Sequence, residues 1–147
     1  MKKINLYSDG SALGNPGPGG WGTILEFKGN EKELCGGEEY TTNNRMELIG
    51  VIEGLKALKE PCDVHVTSDS SYVVKGINEW LEGWEKRGWK TAGKKPVKNV
   101  ELWKEYLEVS KIHKITATWV KGNAGHEHNE RCDIIARSFA EKLKNNN

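Results

Sequence analysis

Four acidic residues, Asp9, Glu47, Asp69 and Asp133, each stand inside a distinct local frame: SDGSALGNPGPGGWG, TTNNRMEL, VTSDSSYV and WVKGNAGHEHNERCDIIAR. Acids so far apart in sequence do joint chemistry only where a fold gathers them, and each frame sets its acid at the end of a predicted strand or the start of a predicted helix. Carboxylates brought within a few ångströms repel one another, so at least one should hold its proton unusually tightly unless a counter-charge is present. Their oxygens suit a hard divalent cation such as Mg²⁺ or Mn²⁺. Two such ions, roughly 3.5 to 4 Å apart, would relieve the repulsion and clamp both the attacking water and the leaving oxygen of an in-line displacement. Any one of these acids alone reads as a solvated surface group; the four frames together point to a site.

The elements that must position them begin with three strands. Residues 3 to 9 alternate, with Ile4 and Leu6 on one face; residues 21 to 28 and 32 to 40 follow, paired as a hairpin around Gly29-Asn30. Thr42 or Asn43 can cap a helix with the stripe Leu48, Ile52, Leu55 and Leu58, ending at Pro61. Val64 and Val66 mark a buried strand that runs into Asp69, and a helix starts near Ser70. Strand, helix, strand favours parallel pairing through a right-handed crossover. After Trp80 the pattern is irregular until Asn99, which can cap a helix carrying Leu102, Trp103, Tyr106 and Leu107. Ile115, Ala117 and Trp119 alternate as a fifth strand, and Cys132, Ile135, Ala136, Phe139 and Leu143 form the inward stripe of a last helix, with Asp133 one step off it.

The 147 residues make one α/β domain, 1–143, with 144–147 expected to be a disordered tail. Twenty-two basic against twenty-one acidic side chains leave no global attraction to nucleic acid or anionic membrane, so local clustering has to carry any such preference. No segment approaches the roughly 18 apolar residues of a membrane span, and the N-terminus lacks a signal-like apolar run. Cys35, Cys62 and Cys132 are an odd number at no metal-like spacing, which suits free, mostly buried thiols in a reducing compartment. A cytoplasmic protein with no membrane partner is expected.

These frames, with WxxxWxxxGWKT and KKPVKN between the third and fourth, resemble the type 1 ribonuclease H family in its bacterial single-domain branch, over residues 3 to 142. The resemblance implies the ribonuclease H fold, a five-stranded mixed sheet in the order 3-2-1-4-5 with helices on both faces. It implies a monomeric endonuclease that hydrolyses the RNA strand of an RNA/DNA hybrid with two Mg²⁺ ions, for which Mn²⁺ can substitute, leaving 5′-phosphate and 3′-hydroxyl ends. Asp9, Glu47, Asp69 and Asp133 match the family's metal ligands, with Asp9 bridging.

By the same resemblance Asn15, Asn43 and Asn44 match positions that meet the hybrid's minor groove, where a 2′-hydroxyl can both donate and accept. Thr42 and Asn99 match a DNA-phosphate pocket, and Tyr72, Trp80 and Trp84 a deoxyribose channel. Residues 86 to 98 hold six bases and no acid, interleaved with tryptophan, and resemble the basic protrusion that grips the DNA strand; Lys86 and Arg87 open it. Trp21, Trp89, Trp103 and Trp119 are expected to be chiefly core, and Arg45 structural. Two positions depart from the family. Asn123 stands where a histidine is usual, and an amide takes up no proton near neutral pH, so a slow or non-cleaving hybrid-binding module is the alternative reading. His126, expected to be structural, or His128, expected to be exposed, are the candidates to compensate. Tyr40 replaces a frequent arginine, keeping a hydroxyl without the charge. Another polynucleotidyl transferase of the same fold, such as a resolvase or integrase, ranks last, because it would need neither the basic protrusion nor the TTNNRMEL frame.

Overall fold

The structure, a computed structural model, describes residues 1–122 and 125–146. Its strands are β1 (Lys2–Ala12), β2 (Gly17–Phe27), β3 (Asn30–Thr41), β4 (Cys62–Ser68) and β5 (Lys114–Trp119), ordered β3-β2-β1-β4-β5 as expected. β1, β2 and β3 pair antiparallel, while β4 lies parallel to both β1 and β5. The β2–β3 turn is the pair Lys28-Gly29, both at positive φ, the geometry that matches the twist of a two-residue hairpin.

Helix α1 (Asn43–Lys56) covers one face of the sheet. The Thr42 hydroxyl caps it by accepting from the Arg45 amide, and it ends at Ala57, short of Pro61. Its buried Leu48, Val51, Ile52 and Leu55 meet Leu6, Val64 and Val66 in the main core. Buried Thr23 spends its hydroxyl on the Gly50 carbonyl at 2.7 Å, so this polar group carries no desolvation penalty.

Helix α5 (Glu127–Asn145) covers the opposite face through small residues: Cys132, Ala136 and Ala140 are fully buried. The strands beneath are stripped to glycine. A Cβ on Gly20 would collide with the Ala136 carbonyl, and one on Gly22 would fall 2.7 Å from the Cys132 carbonyl. The helix therefore sits on the backbone of the sheet itself. It extends two residues past position 143.

The helical path that starts after Ser70 continues beyond Trp80, contrary to the irregular segment expected there. Helix α2 (Ser71–Lys75) passes through one wider π-type turn (Gly76–Trp80) into α3 (Leu81–Lys86). The extra residue in that turn disguised the 3.6-residue period. Gly76 gives Trp103, on α4 (Val100–Ser110), room to pack against it. Residues 87–99 form an ordered loop: Thr91 N donates to Lys95 O at 2.8 Å and Val97 N to Trp89 O at 3.1 Å.

Other expectations need correction. Asn99 occupies the start of α4 in the left-handed conformation (φ 58°), but its side chain makes no capping bond and donates to the Tyr72 hydroxyl instead. Trp119 is 51 % exposed, at the last position of edge strand β5. Cys35 is exposed on β3; Cys62 and Cys132 are the buried thiols.

Candidate active site

Parallel pairing of β1 with β4 sets Ser8 beside Ser68, so Asp9 and Asp69 emerge next to each other at the same sheet end. Ligand sites in α/β sheets gather at the carboxyl ends of parallel strands for this reason. Glu47 reaches them from the second turn of α1. One oxygen from each of Asp9, Glu47 and Asp69 lies within 4.8 Å of the others, close enough for one cation. Asp133, in the second turn of α5, borders a small cavity of about 60 Å³ together with Asp9 and Asp69 but stands outside that trio; its Oδ2 forms an ion pair with Arg137, 2.8 Å from Nη2.

Burial and mutual repulsion dominate the electrostatics. Asp9, only 5 % exposed, has its pKa pushed up to about 7, chiefly by loss of water and next by the charge of Asp69, against the help of the Gly10 amide that donates to its Oδ1 at 2.8 Å. Glu47 is held well above the ordinary range by burial, then by Asp9. Asp69 is raised as well, first by burial. Glu47 Oε2 is buried and accepts no hydrogen bond. An orphaned carboxylate oxygen in a trio of acids that, among the described residues, has no ion-paired lysine or arginine fits a hard divalent cation, which would supply what burial removed.

Asn123 lies outside the described residues. His126 stands at the start of α5, opens onto the acidic cavity and makes no capping bond. His128, expected to be exposed, is partly covered: its ring stacks on Tyr7 with centroids 4.3 Å apart, and Nε2 lies 2.6 Å from Glu31 Oε2. Four residues of the cavity went unnoticed in the sequence: Lys121, Gly122, Asn129 and Glu130. Asn129 is 8 % exposed and donates to the Thr67 carbonyl at 3.0 Å, tying the start of α5 to β4, while its Oδ1 has no partner. A signal existed, because Asn129 continues the buried series of Cys132, Ala136 and Ala140 with a polar side chain.

Most of the positions matched to substrate fall into two clefts that share Lys98. Asn15, Thr42, Asn43, Asn44, Lys98 and Asn99 line one of about 480 Å³. The asparagines also organise it: Asn43 N donates to Asn15 Oδ1 at 2.9 Å, and Asn43 Oδ1 accepts from Ala12 N at 2.7 Å. Tyr72 and Trp84 line the second, of about 250 Å³, with Lys95 and Lys98. The Tyr72 hydroxyl accepts from Trp103 Nε1 at 2.9 Å, and Trp80 lies against Trp84 with centroids 5.6 Å apart. Trp84 is 8 % exposed, so it belongs as much to the core as to the cleft. Trp80, Lys86 and Arg87 border neither cleft; Lys86 pairs with Glu82, and Arg87 Nε donates to Lys90 O. Tyr40 is exposed and stands outside the first cleft. Arg45 forks onto both oxygens of Glu38 and reaches Glu101 at 2.6 Å, joining β3, α1 and α4.

Residues 1–141 match the family model described as RNase H. The chain is 66 % identical over 143 residues to Ribonuclease H of Sulfurovum sp. (strain NBC37-1), covering 97 % of this chain and 94 % of that protein. It is 59 % identical over 144 residues to Ribonuclease HI of Brucella melitensis biotype 1, covering 98 % and 94 %. Among solved structures it is similar to LC9-RNase H1, described as a type 1 RNase H with the type 2 active-site motif, with a TM-score of 0.86 and 33 % identity over 97 % of this chain and 74 % of that one. The structure of LC11-RNase H1 in complex with RNA/DNA hybrid, at 23 % identity and a TM-score of 0.73, shares the fold; it covers 95 % of this chain and 97 % of that one.

Proposed function

This chain belongs to the RNase H family, and from that premise we propose that it is an endonuclease hydrolysing the RNA strand of an RNA/DNA hybrid by a two-metal-ion mechanism. The observation that carries the reading is the trio Asp9, Glu47 and Asp69, one oxygen of each lying within 4.8 Å of the others, in which a buried Glu47 oxygen has no partner. Asp9, Glu47, Asp69 and Asp133 would hold two divalent cations, Mg²⁺ with Mn²⁺ able to replace it. When bound, such ions activate water and stabilise charge on the attacking and leaving oxygens of an in-line displacement.

The chain's own residues would do the rest. Asp9 and Asp69, fixed by neighbouring parallel strands, orient the acidic cluster; Glu47 brings the third carboxylate from the helix. Asn15, Asn43 and Asn44, on the nearby cleft, offer amide donors and acceptors suited to a ribose 2′-hydroxyl, which separates RNA from DNA. Thr42, Lys98 and Asn99 would receive a phosphate of the DNA strand, and Tyr72, Trp80 and Trp84 its sugars, beside the lysines of the 86–98 loop. Attack by water with departure of the 3′ oxygen leaves 5′-phosphate and 3′-hydroxyl ends.

The test is cleavage of an end-labelled RNA/DNA hybrid with Mg²⁺, beside matched RNA/RNA and DNA/DNA duplexes and the Asp9→Asn protein. Cuts in the RNA of the hybrid alone, lost in Asp9→Asn, support the proposal. Binding without cutting, in Mg²⁺ and in Mn²⁺, would replace it with a hybrid-binding module.

A further inference from the structure

Asp133 borders the acidic cavity yet remains outside the cluster of Asp9, Glu47 and Asp69. Its partner is Arg137, one turn further along α5, with Nη2 2.8 Å from Oδ2. The acid precedes the base by four residues, the favourable order for an intrahelical pair. Both belong to a continuous helix seated on sheet backbone, so the pair is tied to a fixed frame rather than to a wandering loop. Among the described residues, no other arginine or lysine is bonded to any of the four acids. Among the described residues this guanidinium thus serves the acid at the lip, and the three deeper ones have no ion-paired arginine or lysine.

We propose that Arg137 is a positioning residue that holds Asp133 away from the other three acids, so that drawing this fourth carboxylate onto a divalent cation requires breaking the Arg137 pair. The inference rests on the reading of these acids as cation ligands. Asp9, Glu47 and Asp69 would hold a cation without cost to an ion pair, whereas Asp133 would do so only in competition with the guanidinium. The side chains of Asp133 and Arg137 are 30 % and 59 % exposed, so the competition is screened and modest. Removing it should tighten cation binding roughly two- to fivefold, the range of a half-exposed intrahelical pair.

Mn²⁺ titration of the full chain without nucleic acid, with the free ion followed by electron paramagnetic resonance, tests this directly. The proteins are the parent, Asp9→Asn, Arg137→Gln, Asp133→Asn and the double substitution at 133 and 137. Glutamine matches arginine in helix propensity, so α5 is retained. The expected result is tighter binding in Arg137→Gln, by about two- to fivefold, and no gain from the same change in the Asp133→Asn background. No gain in either background overturns the proposal. An equal gain in both also overturns it, because that would be the general effect of deleting a positive charge. If Asp9→Asn binds Mn²⁺ as well as the parent does, the acids are not the ligands, and the underlying reading fails with the proposal.

Discussion

Gly10 meets the backbone of Glu47 so closely that a methyl group at position 10 would overlap the Glu47 amide and the Met46 carbonyl carbon. The contact joins β1, which carries Asp9, to α1, which carries Glu47. It sets the distance between two acids from different elements. Gly10→Ala should therefore push strand and helix apart, lowering stability by about 1–3 kcal/mol, the usual range for overpacking. It should also weaken Mn²⁺ binding. Urea denaturation and metal titration measure the two effects, and unchanged metal affinity would show that this contact does not set the acid spacing.

Stability of the metal-free protein should fall as pH rises. The folded pKa of Asp9 is raised from 3.8 to about 7, and those of Glu47 and Asp69 are raised too. The native chain then holds more protons than the unfolded chain across this window. The resulting stability is fully present below the ordinary carboxylate range and is lost as pH passes through about 7. Denaturation midpoints in EDTA from pH 4 to 8 should show that decline, a flatter profile for Asp9→Asn, and a smaller slope with saturating Mg²⁺. A flat profile for the parent in EDTA would contradict this account of the cluster.

Trp119 Nε1 donates to the Asp69 carbonyl at 3.0 Å while half of the residue faces solvent. Its indole thus fixes the backbone of a candidate ligand rather than filling the core. Trp119→Phe keeps an aromatic ring and removes the donor. It should reduce stability by about 0.5–1.5 kcal/mol and lower kcat with little change in KM for the hybrid. Equal kcat in both proteins would separate this bond from the reaction.

Asn99 combines a left-handed backbone with a hydrogen bond to Tyr72. Asn99→Gly should retain stability, because glycine accepts that backbone, but weaken hybrid binding. Asn99→Ala should lose both, with about 1–2 kcal/mol of stability from the strained φ. Calorimetric Tm values and binding isotherms distinguish the pair; equal Tm values would mean that the left-handed backbone carries no strain.

Arg45 ties three elements together by its fork onto Glu38 and its reach to Glu101. Arg45→Ala should destabilise by about 1 kcal/mol, the bidentate geometry being partly offset by exposure. Most of that loss should disappear in 1 M salt, and a salt-independent loss would point to packing by its stem instead.

Much of this architecture was legible in the sequence because it depends on short-range patterns. Alternation at Ile4 and Leu6, and the short apolar run at Val64 and Val66, mark strands whose pairing follows from connection length. The four frames mark the acids for the same reason, although only Asp69 follows directly on a strand end, while Asp9 lies within β1 and Glu47 and Asp133 in the second turns of their helices. What escaped depends on contacts between distant residues. The π-type turn at Gly76–Trp80 breaks the helical period and is accommodated by Trp103, more than twenty positions away. Asn99 has the residue type of a cap, but Tyr72 claims its side chain. Trp119 obeys the strand alternation, yet nothing in its own segment says that it ends exposed at the sheet edge with its indole on the Asp69 carbonyl. Asp133 carries the frame of a ligand, and only three-dimensional distances separate it from the other three acids.

The glycines under α5 set a limit on how this protein can change. Where side chains separate two layers, a larger residue on one can be offset by a smaller one on the other, and the spacing drifts. At Gly20 and Gly22 the facing atoms are main-chain carbonyls of Ala136 and Cys132, which no substitution can shrink. The height of this helix above the sheet is thus a constant of the scaffold. Attempts to gain heat resistance by filling space there would lift Asp133 from its place, so such gains have to be sought on the α1 face or in the loops.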